Sequence, residues 1–349
     1  MTELHIKNHF VPECYLKRWE GFDSKICVYK SLVSHANTPL WRKRNTSAIA
    51  YQKHLYTQVI SGSESDELEK WLDKEYESPA NEVIEKVIFE KRLTANDWSI
   101  LIKFLAAQDV RTPSRLIEHL KRNKEVYSEV LQGVLNDVKE KIDKKELSDI
   151  KRHNCSETNS NLLPLKVTTE FESGQETGIL KVESYVGRSS WIYSIKHVLE
   201  NTAKLLHNHK WTIVKPAKDY SWFTSDNPVI KLNYLNQNEY DLKGGWGKEK
   251  GNIIFPIGPD HAMFVQIGDK AIPKNSRLSI KQTLEFRKFM AENAHRMIFA
   301  NFFDEGIPAL RVRVVNDEWV KREKLEFQNW HEKNSKMEQE FSSGSNKNS

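Results

Sequence analysis

Six side chains in this sequence are of the types that move protons, ligate metal or hold an anion: His9, Glu75, Asp109, Asp226, Gln108 and Arg111. Counting about 100° per residue from Leu68, the apolar stripe of Trp71, Leu72 and Tyr76 contains Glu75 near its centre. The same count from Trp98 places Asp109 in the stripe of Leu101, Ile102 and Leu105. An inward carboxylate without a partner costs several kcal/mol or takes up a proton. Arg111, Gln108 and His9 are the compensating groups the sequence offers. Arg111 stands just before Thr112-Pro113, at an expected helix end, where its fork could hold a carboxylate or a phosphate. His9 is a candidate for proton transfer, because histidine is the side chain that ordinarily titrates near neutrality. Asp226 lies in WFTSDNPVIKL, between two expected strands.

Each of these has a plainer alternative. Glu75 and Asp109 could end their stripes early and reach water past Pro79 and Pro113. Arg111 could meet a helix C-terminus or pair with Glu75, and Gln108 could bond at the edge of the core. In SDNP, Asp and Asn side chains make Asx-turns, and the residue before proline avoids helix. If the six side chains converge, the chemistry they fit best is hydrolysis of phosphodiester bonds in nucleic acid or a nucleotide. A carboxylate, a histidine or a divalent metal would handle the proton, and Arg111 with Gln108 would hold the substrate. The metal ligands are left unassigned. The contrasting reading is a non-catalytic binding or effector protein, whose polar cluster is structural and whose partner docks on Arg42, Lys43 and Arg44.

The elements that must position these groups follow from periodicity. SESDELEKWLDKEYESPANEVIEKVIFE reads as helix, kinked or restarted at Pro79. Thr94 opens a second helix with a capping box, and Thr112-Pro113 restarts a long charged one. From Trp211 the period shortens, and WTIVKP, SWFTSDNPVIKL, NIIFPIG and AMFVQIG read as strands. A helix from 280 to 295, the strand RMIFANF and a short charged helix near DEWVKREKLEF follow. The expected class is α+β, with a helical N-terminal half (about 60–150) packed against a small, mainly antiparallel sheet from the C-terminal half (about 165–320). Residues 1–335 are expected to form one domain and 336–349 a disordered tail.

Length allows one large domain or two modest ones, and 38% apolar residues with ten tryptophans indicate a folded chain. A net charge of +5 is too mild to require nucleic acid as a partner. Cys14, Cys27 and Cys155 are odd in number and widely spaced, which suggests neither a disulfide framework nor a structural zinc site. No secretory leader or membrane-length apolar run is visible, so the expected compartment is the cytoplasm. A glycine-rich phosphate loop is absent, which excludes Rossmann and P-loop readings.

Six stretches, NHFVPECYLKRW, AYQKHLY, LEKWLDKEYESPA, FLAAQDVRTPSR, WFTSDNPV and FPIGPDHAMFV, occur in an order that resembles the bacterial domain-of-unknown-function family 4238. The resemblance spans roughly residues 7 to 300. It implies a stand-alone bacterial or phage-encoded protein with an accessory role, such as defence against foreign DNA, and it carries no reaction to transfer.

Overall fold

A computed structural model describes residues 4–60, 62–144, 165–171 and 178–343. Its architecture corrects the expected division of the chain. The described residues among the first 65 carry seven short strands, and sheet is spread along the sequence instead of being confined to the C-terminal half. The fold is mixed α/β. The helical block lies between the two strand-bearing regions, not in a helical N-terminal half.

The reason is long-range pairing that no local pattern announces. Ile26–Lys30 sits between Trp41–Arg44 and Met297–Ala300 in a four-stranded sheet completed by Thr224–Ser225. Met297 stands opposite Lys30 and Val28 opposite Arg42, so strands from both ends of the chain share one sheet. Strands of two to four residues, such as Lys7–His9, are too short to show a clean alternation. The larger sheet has six strands in the order Glu239–Asp241, Ile230–Asn236, Asn252–Gly258, His261–Gln266, Thr212–Lys215 and Ser276–Arg277. All its pairings are antiparallel except the last.

The helices follow their sequence signals more closely. Thr94 caps Ala95–Val110 through a full capping box with Asp97, and Pro113 opens Pro113–Asp143. The helix beginning at Glu67 departs from the expected wheel. Residues Asp73–Glu77 form a wider π-type turn before Ser78–Ile88 continues. Pro79 lacks an N–H and its ring crowds the carbonyl four residues earlier, and widening the turn relieves that clash. The charged helix Asp317–Ser343 is longer than expected, so residues 336–343 of the anticipated tail are helical. It lies back on the N-terminal strands: Trp330 Nε1 donates to the Leu55 carbonyl at 3.2 Å, and Glu338 accepts from the Val59 N–H at 2.8 Å.

The hairpin Leu165–Phe171/Gly178–Ser184 lies in the polar middle stretch. Cys155 and the HNCSETNSN segment fall outside the described residues. The larger core cluster joins Tyr15, Trp19 and Leu55 to Leu72, Ile84, Phe104 and Phe255. A second one surrounds Trp222, Phe289 and Ile298. No helix among the described residues is long and apolar enough to cross a membrane.

Candidate functional site

Asp109 ends the Ala95–Val110 helix pointing inward, 2% exposed, as the wheel count expects. Its Oδ1 accepts from Arg115 Nη2 at 2.7 Å and Nε at 3.0 Å. Its Oδ2 accepts from Lys231 Nζ at 2.6 Å and Trp246 Nε1 at 2.7 Å. Burial alone would raise this carboxyl, but the Arg115 and Lys231 charges overcome burial and hold it down at about 2. Lys231 lies in Ile230–Asn236, where alternation turns it away from the buried Ile230 and Leu232. Trp246 arrives on a segment that only glycine could start: a Cβ on Gly244 would meet the Leu232 amide nitrogen at 2.8 Å.

These groups line a cavity of about 330 Å³, walled by Trp191 and Trp246, with Arg122, Glu118 and His119 also on its lining. His119 receives Asn123 Nδ2 at 2.8 Å, and burial, with Arg122 nearby, pushes it down to about 4. It is therefore neutral at physiological pH. The cavity combines apolar indole walls with cations held in place by a fixed carboxylate. That arrangement suits a ligand with a planar body and an anionic end.

Arg111 is fully buried on another side of the same helix end. Its guanidinium donates to Glu77 and to the His9 carbonyl, and its own carbonyl accepts from Tyr56 Oη at 2.6 Å. The partner is therefore Glu77 in place of Glu75. The His9 N–H donates to Glu69 at 3.3 Å. Burial, only partly opposed by Arg111, pushes Glu69 up to about 8, while burial with Lys7 pushes His9 down to about 4. His9 Nδ1, Glu69 Oε2, Arg111 Nε and both amide atoms of Gln108 are buried with no hydrogen-bond partner among the described residues. Unpaired buried polar groups are uncommon, and each calls for a reason in strain or function.

The remaining two acids go elsewhere. Glu75 is 50% exposed and pairs with Lys74 at 3.4 Å, because the π-type turn rotates it off the stripe. Asp226 is buried, and its carboxylate accepts the N–H groups of His295 (2.8 Å), Arg296 (2.7 Å) and Met297 (2.9 Å). Burial pushes it up to about 6 against those three bonds. It acts as a turn anchor, fastening the end of Thr224–Ser225 to the start of Met297–Ala300. The six side chains thus divide: His9 and Arg111 meet through the His9 carbonyl, Gln108 is buried on the Ala95–Val110 helix, and Asp109, Asp226 and Glu75 each stand among different partners.

Sequence reasoning missed Glu69, Glu77, Arg115, Lys231 and Trp246. Only Lys231 left a signal, as the single cation inside the apolar run VIKL. The six motif stretches nevertheless meet in space. Tyr15 Oη bonds Thr224 Oγ1 at 2.7 Å and the Pro256 carbonyl at 2.6 Å, and Trp19 Nε1 reaches the Trp222 carbonyl at 2.8 Å. Asn8 Oδ1 accepts from the Tyr56 N–H at 3.0 Å, and Thr112 Oγ1 donates to Asn227 Oδ1 at 3.4 Å.

His54, Glu64 and His331 lie within 4.8 Å of one another, close enough to suggest a metal site. The hydrogen bonds argue otherwise. Arg188 Nη1 stands 2.9 Å from His331 Nδ1, which must therefore accept. A neutral ring then carries its proton on Nε2 and donates it to Glu64 at 2.7 Å. That nitrogen has no lone pair for a cation. Cys14 and Cys27 are free thiols, both pushed up chiefly by burial.

The family model described as "Protein of unknown function (DUF4238)" matches residues 7–302. No curated protein and no solved structure matches the chain.

Proposed function

We propose, from the premise that the chain belongs to the DUF4238 family, that it binds a nucleotide or the end of a nucleic-acid strand in the Asp109 cavity. One observation carries this reading: Arg115 and Lys231 converge on one buried carboxylate at the edge of an indole-walled hollow. Asp109 would act as the anchor that aims the two cations, while Trp191 and Trp246 would pack against a base. With Oδ1 and Oδ2 both occupied, Asp109 is a poor general base, so binding is better supported there than hydrolysis.

The test is calorimetric titration with ATP and with a dinucleotide. Lys231→Gln should weaken binding about tenfold or more, as expected for losing a charge-assisted hydrogen bond. Binding unchanged by that substitution, or no binding by either probe, removes the reading.

A hydrolytic reading has a different support. Glu69 and His9 have values displaced in opposite directions, so at neutral pH a protonated carboxyl and a neutral imidazole flank the same guanidinium. That is the split acid–base hydrolysis requires. Glu69→Gln should abolish phosphodiester turnover while leaving ATP affinity intact; unaltered turnover would reduce the cluster to a structural network. Residues 1–335 are read as one folding unit, because Ile26–Lys30 and Met297–Ala300 share a sheet.

A further inference from the structure

On the four-stranded sheet, alternation sorts the basic run of Trp41–Arg44 onto two faces. Lys43 points to one face and pairs with Asp23 at 2.8 Å. Arg42 and Arg44 point to the other, where they stand opposite Val28 and Ile26. Lys30 belongs to that same face, two residues along from Val28 and opposite Met297. Among the described residues, none of Lys30, Arg42 and Arg44 is in an ion pair.

The three cations line a cavity of about 530 Å³ whose lining contains no acidic residue. Its walls are fixed. Arg313 donates to the carbonyls of Thr38 (2.6 Å), Pro39 (3.0 Å) and Leu40 (2.8 Å), holding that loop against the sheet. Tyr51 closes another side, with Lys7 Nζ 4.2 Å from its ring centre. Desolvation, then the charges of Arg42 and Arg44, push the Lys30 ammonium down, the direction expected where cations are crowded without a counter-charge.

We infer that this pocket grips the phosphate backbone of a single-stranded nucleic acid. Three convergent cations with no internal acid provide for consecutive phosphates, and two of the three are arginines able to bind phosphate bidentately. Trp41–Arg44 is the outer strand of its sheet, so the pocket opens at an edge where a chain can run past. The Tyr51 ring supplies the aromatic contact that single-strand sites combine with a basic groove. Nothing in this depends on the Asp109 cavity, which lies among different residues.

The experiment is fluorescence anisotropy with a labelled single-stranded oligonucleotide of about 12 nucleotides, spanning a typical single-domain site, over a range of salt. Three phosphate contacts predict a slope of log K against log[salt] near about −2. Arg42→Gln and Arg44→Gln should each weaken binding and reduce the slope by about 0.7. Lys43→Gln, on the opposite face, should change neither. Arg42, Lys43 and Arg44 are exposed, so matching thermal melts exclude a folding defect. The inference is overturned if the oligonucleotide does not bind at low salt, if Lys43→Gln is as harmful as Arg42→Gln, or if only anionic lipid vesicles bind.

Discussion

Lys231 and Asp109, 122 residues apart in sequence, form an ion pair at 2.6 Å that joins the large sheet to the last turn of the Ala95–Val110 helix. Both groups are largely out of water, so neither is well served alone. Asp109→Asn keeps the shape but leaves Lys231 and Arg115 facing a neutral amide. Stability should fall by about 3 kcal/mol, the low end for breaking a buried pair, because both cations retain some solvent contact. Urea unfolding gives the value. A loss under about 0.5 kcal/mol, the size of an ordinary surface change, would mean the pair is not formed.

Asp226 should behave as a structural residue. Its carboxylate receives three successive backbone N–H groups, and Asp226→Ala leaves all three part-buried donors without it. A loss of about 3 kcal/mol or more is expected, with ligand affinity per folded molecule unchanged. Asp226→Asn, which keeps an acceptor oxygen, should lose less. A stable Asp226→Ala protein that no longer binds any ligand would make this side chain a contact residue instead.

Arg111 offers the sharpest test of the network beneath the motif stretches. Arg111→Met removes the donor to Glu77 and to the His9 carbonyl together, in a fully buried position. About 3–5 kcal/mol should be lost. A double-mutant cycle with Glu77→Gln should give a coupling of about 1 kcal/mol or more between the two residues. The same cycle run with Glu75→Gln should give none, and Glu75→Gln alone should stay within about 0.5 kcal/mol of the parent.

That contrast marks where the sequence was readable. Asp109 was placed inward by counting along a regular helix, and the helix is regular there. Glu75 was placed by the same count into the π-type turn Asp73–Glu77 that precedes Pro79, where the extra residue in the turn rotates the face, and Glu69 and Glu77 take the inward positions. Thr94 and Pro113 carry their own local chemistry and mark helix starts correctly. The pairing of Ile26–Lys30 with Met297–Ala300 has no local signature at all, since its register is set by residues 267 to 273 positions away. Asp226 shows the remaining limit: Asx chemistry identifies a turn, but the three N–H groups it collects belong to a distant segment.

The ionisation of Glu69 can be read from stability against pH. Its folded value, about 8, lies above the ordinary 4.5, so the folded state binds the proton more tightly than the unfolded chain. Its contribution is complete below about pH 4.5 and is lost as pH rises through about 8. His9, His119 and His295 have the opposite sign. Each is lowered to about 4, so their contribution is present above pH 6.5 and is lost as pH falls through about 4. The wild-type curve is therefore a dome in which Glu69 is masked by the histidines. Subtracting the curve of Glu69→Gln isolates it, because the amide has no proton to release and the histidines cancel. The difference in unfolding free energy should fall with rising pH between about 5 and 8, by up to about 1.4 kcal/mol per pH unit for one proton. A flat difference would mean that Glu69 is already ionised at neutral pH, with Arg111 stabilising its charge, and would remove the protonated carboxyl on which the hydrolytic reading stands.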